Sequence, residues 1–477
     1  MSRIELPTSS RRGIWETMFD LRRDEVGPVL IAALFFFCVL TALMVLRPAR
    51  DALGMERGIE SVRWLIGITA VVTLAANPVF GWLVSRLKRL QVIAATYGFF
   101  VLSLMGFWVL IEFAPGTLSQ TSSLVFYVWF NVFNLFATMV FWALLTDRFT
   151  SEQGRRFFAL ISIGGTLGAI FGPLLTSQLA QPLGTPSLLL VAAGFLLLAL
   201  LSACWLLWAT PDRTIDTVAA WSFSEDSDTR IGGSAWAGIR SVFRSSYLSG
   251  VAGYVMLMAV MVTFVYFTRL QMVAAMADDT DARAAIMGNI DMWTHVAVLV
   301  LQLTLAGPII KRFGLGITLM ILPVTTAIGF IGLGLYGSIG VLVLLEAATR
   351  AVQRGITQPA REALFTVVNR EDKYKAKAFI DTFVYRTGDV VGAQTEGALG
   401  RIGLAMGSLV SVVLPLALVW TALAVWLGQA QARRASQWSN HSSPKVSKVA
   451  NDKSNPLTAD KDATLTENGG LPLRKAS

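Results

Sequence analysis

The sequence predicts an all-α polytopic membrane protein with about twelve transmembrane helices in two six-helix halves. Hydrophobic residues make up 54% of the chain, and the mean hydropathy is +0.59. Charged residues account for only 15%, whereas a soluble domain has about 25%. Apolar stretches of about 20 residues, long enough to cross a bilayer as a helix, recur along most of the 477 residues.

The apolar stretches divide the chain into five parts. Residues 1–27 form a polar N-terminal segment, 28–208 the first half, 209–246 a polar linker, 247–428 the second half and 429–477 a disordered tail. Gly232 and Gly233, together with a Ser/Asp run, predict a flexible linker. The approximate limits of the predicted helices are 28–47, 62–84, 91–111, 123–146, 157–180, 187–208, 247–272, 284–310, 316–337, 339–366, 378–400 and 404–428.

The distribution of Lys and Arg predicts the orientation. Four connections are rich in these residues, at 85–90, 147–156, 311–314 and 369–377. The opposite connections, near 112–122, 181–187 and 336–340, contain none. By the positive-inside rule both termini and the linker lie in the cytoplasm. The stretch 47–63 departs from the rule, because it places four arginines on the outer side. It either attracts an anionic solute or pairs its charges locally.

Composition excludes several classes of function. The net charge of +9 reflects orientation signals in a membrane protein and does not indicate nucleic-acid binding. No GxxxxGK[ST] stretch is present, which argues against an ATP-driven pump. Two cysteines and two histidines provide no metal-ligand spacing, so we expect no metal, no cofactor and no enzymatic activity. We also expect a monomer embedded in the lipid bilayer.

The most informative stretch runs from residue 346 to 396, because it has membrane-length segments yet carries many charges. On predicted helix ten, six polar side chains fall within one arc of about 100°. Arginines at membrane depth face a bundle interior, a water-filled cavity or a partner. This face is therefore either an anion-binding lining or an internal salt-bridge network, and it comprises Glu346, Arg350, Gln353, Arg354, Thr357 and Arg361.

Other predicted helices also carry polar residues that suit transport. Helix four offers Asn131 and Asn134, which line a cavity or bond to a neighbouring helix. On helix eight, His295 and Asp291 form a proton relay or simply satisfy each other inside the bundle. Helix eleven places acids on one face that would neutralise the arginines of helix ten until an anionic ligand competes for them. The helix-eleven residues are Asp381, Tyr385, Asp389 and Glu396, with Arg386 further round.

The two halves resemble each other in sequence. A shift of 220 residues aligns Glu152, Arg155, Gly168 and Gly172 with Asp372, Lys375, Gly388 and Gly392. Gly81 and Arg86 likewise correspond to Gly307 and Arg312. This glycine-then-arginine connection looks like the loop after the second helix in major facilitator transporters. The resemblance implies a major facilitator-type fold, with substrate bound between the halves near the midplane and moved by rocking.

Further motifs resemble the ATP/ADP antiporter family of plastids and intracellular bacteria. The stretch LRPARDAL is similar to the family's LRxxKD and gives Arg47, Arg50 and Asp51. QPARE is similar to DPTKE, and Lys375, Lys377, Asp381, Arg386 and Gly388 follow the next family pattern. Asp389, however, stands where many members have Lys, and helix four lacks their membrane acid. The resemblance therefore implies an organic-anion carrier, in a divergent free-living bacterial member, more firmly than it implies ATP/ADP exchange.

Together these observations predict a secondary transporter that moves a nucleotide or another phosphorylated or organic anion by exchange or ion coupling. One alternative is a proton-coupled exporter of drugs or metabolites. Another is a membrane scaffold or sensor without flux, for which a fully self-neutralised cavity would be diagnostic. The candidate substrate-binding residues are Arg47, Arg50, Arg269, Arg350, Arg354, Arg386, Asn134 and Tyr385. The candidate coupling or counter-charge residues are Asp51, Asp291, His295, Glu346, Asp381 and Asp389.

Overall fold

Helices account for every regular element in the part of the chain that the computed structural model describes, namely residues 22–86, 89–210, 235–305, 309–402 and 409–442. The first half contains α1 (Arg23–Gly54), α2 (Ile59–Arg86), α3 (Arg89–Phe113), α4 (Gly116–Arg148), α5 (Ser151–Leu183) and α6 (Leu188–Ala209). A short α7 (Ala235–Arg244) precedes the second half. That half begins with α8 (Ser246–Met276), α9 (Thr280–Leu305) and α10 (Ile309–Tyr336).

Two interrupted helices follow in the second half. α11 (Ile339–Val352) passes through a π-helical segment, Gln353–Thr357, into α12 (Gln358–Leu364). α13 (Arg370–Phe379) passes through a second π segment, Ile380–Val384, into α14 (Tyr385–Arg401), and α15 (Leu409–Ser442) ends the described chain. Within the described residues, ten helices are long and apolar enough to cross a membrane. The α11–α12 and α13–α14 helices, whose charges lower their hydropathy, bring the architecture to the predicted twelve.

The end of α1 differs from the prediction. We placed Arg47–Arg63 in an outer loop, but α1 continues through Pro48 to Gly54 and α2 begins at Ile59. A proline inside a helix removes one backbone donor without necessarily ending the helix, since neighbouring helices and side chains can satisfy the freed carbonyl in a membrane bundle. Arg47, Arg50 and Asp51 therefore lie on a helix inside the bundle. The connection that remains is Met55–Gly58, and Gly58 adopts a φ of 87° that favours glycine.

The predicted glycine repeat packs in an equivalent way in both halves. A Cβ on Gly168 of α5 would lie 2.5 Å from the backbone oxygen of Phe37 on α1. A Cβ on Gly388 of α14 would lie 2.6 Å from the Cβ of Ala259 on α8. In each half the first and fifth long helices thus approach so closely that only glycine fits at the contact. The internal repeat is a repeat of packing as well as of sequence.

The linker and tail limits also need correction. The end of the predicted linker 209–246 is helical, since α7 occupies Ala235–Arg244 and α8 begins at Ser246. The predicted disordered tail starts as helix, because α15 runs to Ser442. Its residues after 428 are rich in Ala, Gln and Arg, which have high helix propensity and extend the preceding apolar helix. Gly232, Gly233 and residues 1–21 and 443–477 lie outside the described residues.

Contacts between the halves are concentrated on a few helices. α9 packs against α5 and α1, and α14 packs against α2. Gly288 of α9 contributes to this packing, since a Cβ there would lie 2.8 Å from the backbone oxygen of Pro173 on α5. We call the end of the bundle where α1 ends and α2 begins the α1–α2 end. Two polar links join the halves there: Arg63 to Glu396 at 2.8 Å, and Thr185 to Asp281 at 2.6 Å.

Candidate functional site

A cavity of about 310 Å³ lies between the two halves. Both halves line it, the first through α1, α2 and α4 and the second through α8, α10, α11, α14 and α15. Aromatic and small polar side chains form part of the wall, including Tyr127, Asn131, Tyr266, Thr326 and Trp420. Its charged lining consists of Arg47, Arg50, Glu346, Arg350, Arg354, Arg386 and Asp389. Five guanidinium groups therefore face the cavity beside two carboxylates.

The end of α1 supplies the first two arginines. The Arg50 guanidinium donates from Nε to Asp51 at 2.9 Å and lies over the Tyr127 ring, 4.5 Å from its centroid. Asp51 is wholly buried and accepts a further hydrogen bond from the Tyr266 hydroxyl at 2.9 Å. Tyr127 and Tyr266 are themselves linked across the halves by their hydroxyls at 3.1 Å. Arg50 is thus held by a carboxylate and an aromatic face, which fixes its direction into the cavity.

Arg269 lies behind the cavity wall and does not line it, which differs from our prediction that it contacts the anion. The side chain is wholly buried between two wholly buried carboxylates. Nη2 donates to Asp51 at 2.8 Å and Nη1 donates to Asp291 at 2.7 Å. Since Asp51 is on α1 and Asp291 is on α9, this guanidinium joins the two halves. Removing one member of such a cluster leaves a buried charge without compensation.

Asp291 is shared among three arginines. Besides Arg269, the Arg350 guanidinium lies 3.4 Å from Oδ1, and Arg47 Nε lies 3.9 Å from Oδ2. Oδ2 is buried, and among the described residues it has no hydrogen-bond donor. A separation of 3.9 Å is too long for a hydrogen bond. Arg47 is therefore attracted to Asp291 but not fixed by it, and a quarter of its side chain is exposed to the cavity.

The second half supplies Glu346, Arg350 and Arg354 from one helix. Glu346 and Arg350, one turn apart on α11, pair at 2.8 Å. The π segment Gln353–Thr357 then widens the helical turn, a feature often found at functional sites. Arg354 lies in this segment, lines the cavity and is exposed. The part of the chain that the structure describes contains no acid within 4.0 Å of its guanidinium.

On α14, Arg386 and Asp389 face the same cavity and pair at 3.5 Å. The Thr263 hydroxyl of α8 lies 3.5 Å from the same Asp389 carboxylate. We predicted that the helix-eleven acids neutralise the helix-ten arginines. In the structure Arg350 pairs instead with Glu346 and Asp291, neither of which is on helix eleven. Glu396 pairs with Arg63 of α2. Only Asp381 of that set meets a helix-ten arginine, Arg361, at 3.4 Å.

Asp381 and Tyr385 do not line the central cavity. Together with Arg361, Gln358 and Thr357 they line a second cavity of about 280 Å³. Gln353 contributes to both cavities, so the second one continues from the first along the α11–α12 helix. Asn134 is exposed and belongs to neither lining, whereas Asn131, one helical turn earlier, faces the central cavity. Its amide donates to the backbone oxygen of Tyr127 at 3.0 Å.

His295 forms neither arrangement that we considered for it. Its Nδ1 lies 2.7 Å from the backbone carbonyl oxygen of Asp291, so Nδ1–H donates to that oxygen. The carboxylate of Asp291 is directed to the arginines instead. Residues four apart in a helix commonly meet in this way. The ring therefore has no direct side-chain bond to Asp291 through which a proton would pass.

Several residues of the site escaped sequence analysis. Tyr127 and Tyr266 lie in apolar helices that are rich in aromatic residues, and nothing in the sequence marks the contact between their hydroxyls, 139 residues apart. Arg63 was assigned to a loop, but it lies on α2 and reaches Glu396 at 2.8 Å. The excess of arginine in the stretch 47–63, on the predicted outer side, was the feature of the sequence that could have indicated such a role. One of these arginines, Arg63, forms a contact between the halves.

Fold and site together define a membrane transporter rather than an enzyme. The chain matches the Major Facilitator Superfamily over residues 29–345, more than half of its length. The chain belongs to this superfamily and is a secondary transporter of a small molecule. Two solved structures share the fold. A nucleoside transporter, NupG, is 15% identical with a TM-score of 0.59 over 85% of this chain and 99% of its own. A bacterial homologue of the human lysosomal transporter Spinster is 12% identical with a TM-score of 0.51 over 87% and 95%.

Curated relatives confirm the resemblance to ATP/ADP antiporters. The chain is similar to the ADP,ATP carrier protein 1 of Chlamydia trachomatis, with 23% identity over 86% of this chain and 90% of the relative. It is 22% identical to the carrier proteins of the same name from Chlamydia muridarum and Chlamydia pneumoniae, again over 86% of this chain. The similarity therefore extends through both halves.

Proposed function

We propose that this transporter moves a nucleotide or another phosphorylated or organic anion, bound in the central cavity. The observation that carries the proposal is the lining itself, because five arginines from both halves face about 310 Å³ of space beside only two carboxylates. Guanidinium groups bind phosphate and carboxylate oxygens in bidentate fashion. The similarity to ADP,ATP carriers supports the same class of solute. The arginines in contact are Arg47, Arg50, Arg350, Arg354 and Arg386.

In this proposal Arg269 acts through its neighbours. Its guanidinium keeps Asp51 and Asp291 in place, and these carboxylates in turn orient Arg50 and Arg350. Asn134 and Tyr385 lie outside the central lining, so Tyr385 meets the solute only on its way through the second cavity. In the second cavity Asp381 pairs with Arg361 and balances the charge of that arginine.

Transport follows from competition between the solute and the cavity carboxylates. An entering anion binds the cavity arginines and competes with Glu346 and Asp389 for Arg350 and Arg386. Its charge neutralises part of the positive charge of the lining, which couples binding to rearrangement of the halves. The halves rock about the cavity, and the Arg63–Glu396 link at the α1–α2 end has to open for the opposite state. Exchange of one anion for another completes the cycle.

We further propose an inner-membrane location, with both termini cytoplasmic and the protein acting as a monomer. The Lys and Arg distribution of the connections supports this orientation. The α1–α2 end then faces the periplasm, and the second cavity leads toward the cytoplasm. No nucleic-acid partner enters the proposal.

The decisive experiment is thermal stabilisation of the detergent-purified protein by a panel of nucleotides, phosphorylated metabolites and carboxylates. A ligand present at 100 times its Kd stabilises by about 2.7 kcal/mol, so even weak binders register. We expect at least one phosphorylated anion to raise the unfolding temperature, and Arg350→Ala to abolish the rise. Arg240→Ala, which removes an exposed arginine of α7, is the matched control. Stabilisation by cationic or neutral compounds alone would favour the proton-coupled exporter, and no ligand at all would favour a scaffold.

A further inference from the structure

The charges around the central cavity do not cancel. Six arginines and four carboxylates line the cavity or lie directly behind its wall, with His295 counted as neutral; we call them the charge cluster. The arginines are Arg47, Arg50, Arg269, Arg350, Arg354 and Arg386. The carboxylates are Asp51, Asp291, Glu346 and Asp389. The formal excess is two positive charges.

Neighbouring charged groups leave this excess unchanged. Arg361 and Asp381 form a neutral pair in the second cavity. Arg63 and Glu396 form a neutral pair at the α1–α2 end. Glu60, which also contacts Arg63, is half exposed, so solvent and salt screen its charge.

The distances identify which two arginines carry the excess. Four arginines have a carboxylate oxygen within 3.5 Å: Arg50, Arg269, Arg350 and Arg386. Arg47 is 3.9 Å from Asp291, a carboxylate already shared by Arg269 and Arg350. Arg354 has no carboxylate partner among the described residues. Both of these arginines line the central cavity, Arg47 from the first half and Arg354 from the second.

We infer that the site recognises a single dianionic phosphate group, a phosphate monoester, held between Arg47 and Arg354, rather than the longer anion of a di- or triphosphate. This inference rests on the proposed function and narrows its substrate class. A phosphate monoester carries close to two negative charges at neutral pH and offers three acceptor oxygens. It therefore cancels the excess of two and supplies enough oxygens for two guanidinium forks.

Neutrality matters because alternating access requires the halves to close around the solute, which removes the site from water. An uncompensated charge in a low-dielectric interior is unfavourable even after relaxation. A di- or triphosphate would bring additional negative charge, beyond the two unpaired arginines. It would have to draw Arg350 or Arg386 away from Glu346 or Asp389 and leave those carboxylates unpaired. The carboxylates of the cavity thus limit the negative charge that a bound solute can carry.

The test is a charge series measured by thermal stabilisation. AMP, ADP and ATP share one base and sugar and differ only in phosphate number, and glycerol 3-phosphate supplies a monoester without a base. A chelator is present throughout so that no divalent cation offsets the added charge, and a pH of about 8 keeps the monoester dianionic. We expect AMP and glycerol 3-phosphate to bind at least about tenfold more tightly than ADP and ATP.

Variants test the assignment of the two arginines. Arg47→Gln and Arg354→Gln should each weaken AMP binding by about tenfold or more, because each removes a charged hydrogen-bond donor. Arg354→Lys keeps the charge and should retain part of the affinity. Asp389→Asn adds one positive charge to the cluster and should move the preference from AMP toward ADP. Asp278→Asn and Arg240→Gln, at exposed positions outside both cavities, should change neither affinity nor preference.

The outcomes separate the two proposals. If ADP or ATP binds the native chain at least as tightly as AMP, the single-phosphate inference is overturned while the proposed function stands. If Asp389→Asn keeps the native preference for AMP over ADP, the inference that the cavity carboxylates select the solute by its charge is overturned as well. If carboxylates stabilise the protein but no phosphorylated anion does, the single-phosphate inference is overturned while the proposed function stands, and if no anion of either kind stabilises it, the proposed function fails as well. The unfolding temperature of every variant is also measured without ligand. This control distinguishes a folded variant that has lost binding from a variant that does not fold.

Discussion

The two halves of this transporter share an arrangement of helices but differ in what their interiors contain. In the first half the core is a set of interlocking aromatic rings, with Phe36 stacked on Phe141 at 4.2 Å and Phe35 packed edge-on against Tyr97. Among the described residues seven charged or histidine side chains are buried, and five of these belong to the second half. Both described π-helical segments lie there too.

Because of this difference we expect the two halves to play different parts in transport. An aromatic core is close-packed and resists rearrangement. Buried charges, in contrast, hold one arrangement only while each keeps its partner. The second half can therefore respond to a charged solute, whereas the first half provides a fixed surface against which it moves. Arg47 and Arg50 are the charged residues of the first half that line the cavity.

The largest expected effect follows from breaking the charge cluster at its centre. Arg269→Met keeps the volume and removes the guanidinium that pairs with Asp51 and Asp291. Asp291 then loses its nearest arginine and Asp51 loses one of its two, so we expect a loss of about 3–5 kcal/mol in the free energy of unfolding. Thermal unfolding in detergent measures it. An intact unfolding temperature in Arg269→Met would show that the cluster does not stabilise the contact between the halves.

A second variant keeps this prediction informative if Arg269→Met fails to fold. Asp291→Asn in the Arg269→Met background removes the carboxylate that has lost its nearest arginine, and it should recover part of the lost stability. Recovery in the double variant identifies the poorly paired buried carboxylate as the cause. If the double variant is no more stable than the single one, loss of packing is the better explanation.

How far the sequence predicted this cluster is instructive. Arginines at membrane depth are rare and costly, which selected Arg350 and Arg354, whereas Arg47, Arg50 and Asp51, placed in a loop, were selected through the family motif. Their pairing was not predictable, because it depends on how the helices rotate against each other. Arg269 illustrates this: the sequence places it near the outer end of predicted helix seven, but only the tertiary contacts show it behind the cavity wall.

The glycine contacts allow a direct comparison of the halves at equivalent positions. Gly168→Ala would bring a methyl group within 2.5 Å of the backbone oxygen of Phe37, which cannot move without shifting α1. Gly388→Ala would meet the Cβ of Ala259 at 2.6 Å. We expect each substitution to cost about 1–3 kcal/mol in thermal unfolding. The first should cost more, because its neighbour is backbone in a tightly packed half.

Gly194→Ala is the matched control for both substitutions. Gly194 lies within α6, and a Cβ there would meet nothing within 4 Å. Alanine should be neutral or stabilise by up to about 1 kcal/mol, because it restricts the unfolded chain. If Gly168→Ala behaves like Gly194→Ala, the first half is not the rigid partner that its packing indicates.

The repeat shows where sequence reasoning succeeded and where it stopped. Glycines 220 residues apart predicted equivalent positions, since a sequence repeat preserves the contacts that need a missing side chain. The same shift could not predict the π segments at Gln353–Thr357 and Ile380–Val384. A π turn arises from a local choice between two hydrogen-bond patterns, and hydrophobic periodicity is too coarse to detect it.

The smallest expected effect comes from removing single tyrosine hydroxyls. It compares hydrogen bonds within one half with a hydrogen bond between the halves. Three buried or half-buried tyrosine hydroxyls are comparable. Tyr97 donates to the Ala137 carbonyl within the first half at 3.0 Å, and Tyr254 donates to the Leu319 carbonyl within the second at 2.8 Å. Tyr127 is bonded to Tyr266 across the halves at 3.1 Å. Replacing each by phenylalanine should cost about 0.5–1.5 kcal/mol of stability.

Only Tyr127→Phe should also change transport. Its bond has to break whenever the halves rock, whereas the bonds of Tyr97 and Tyr254 persist through the cycle. Arg50 keeps an aromatic face beneath it in Tyr127→Phe, so ligand-induced stabilisation should remain near that of the native chain. The transport rate in reconstituted vesicles should differ by up to about tenfold, the equivalent of one lost bond in a barrier. Equal rates in all three variants would mean that the hydroxyl pair is not broken during the rate-limiting movement.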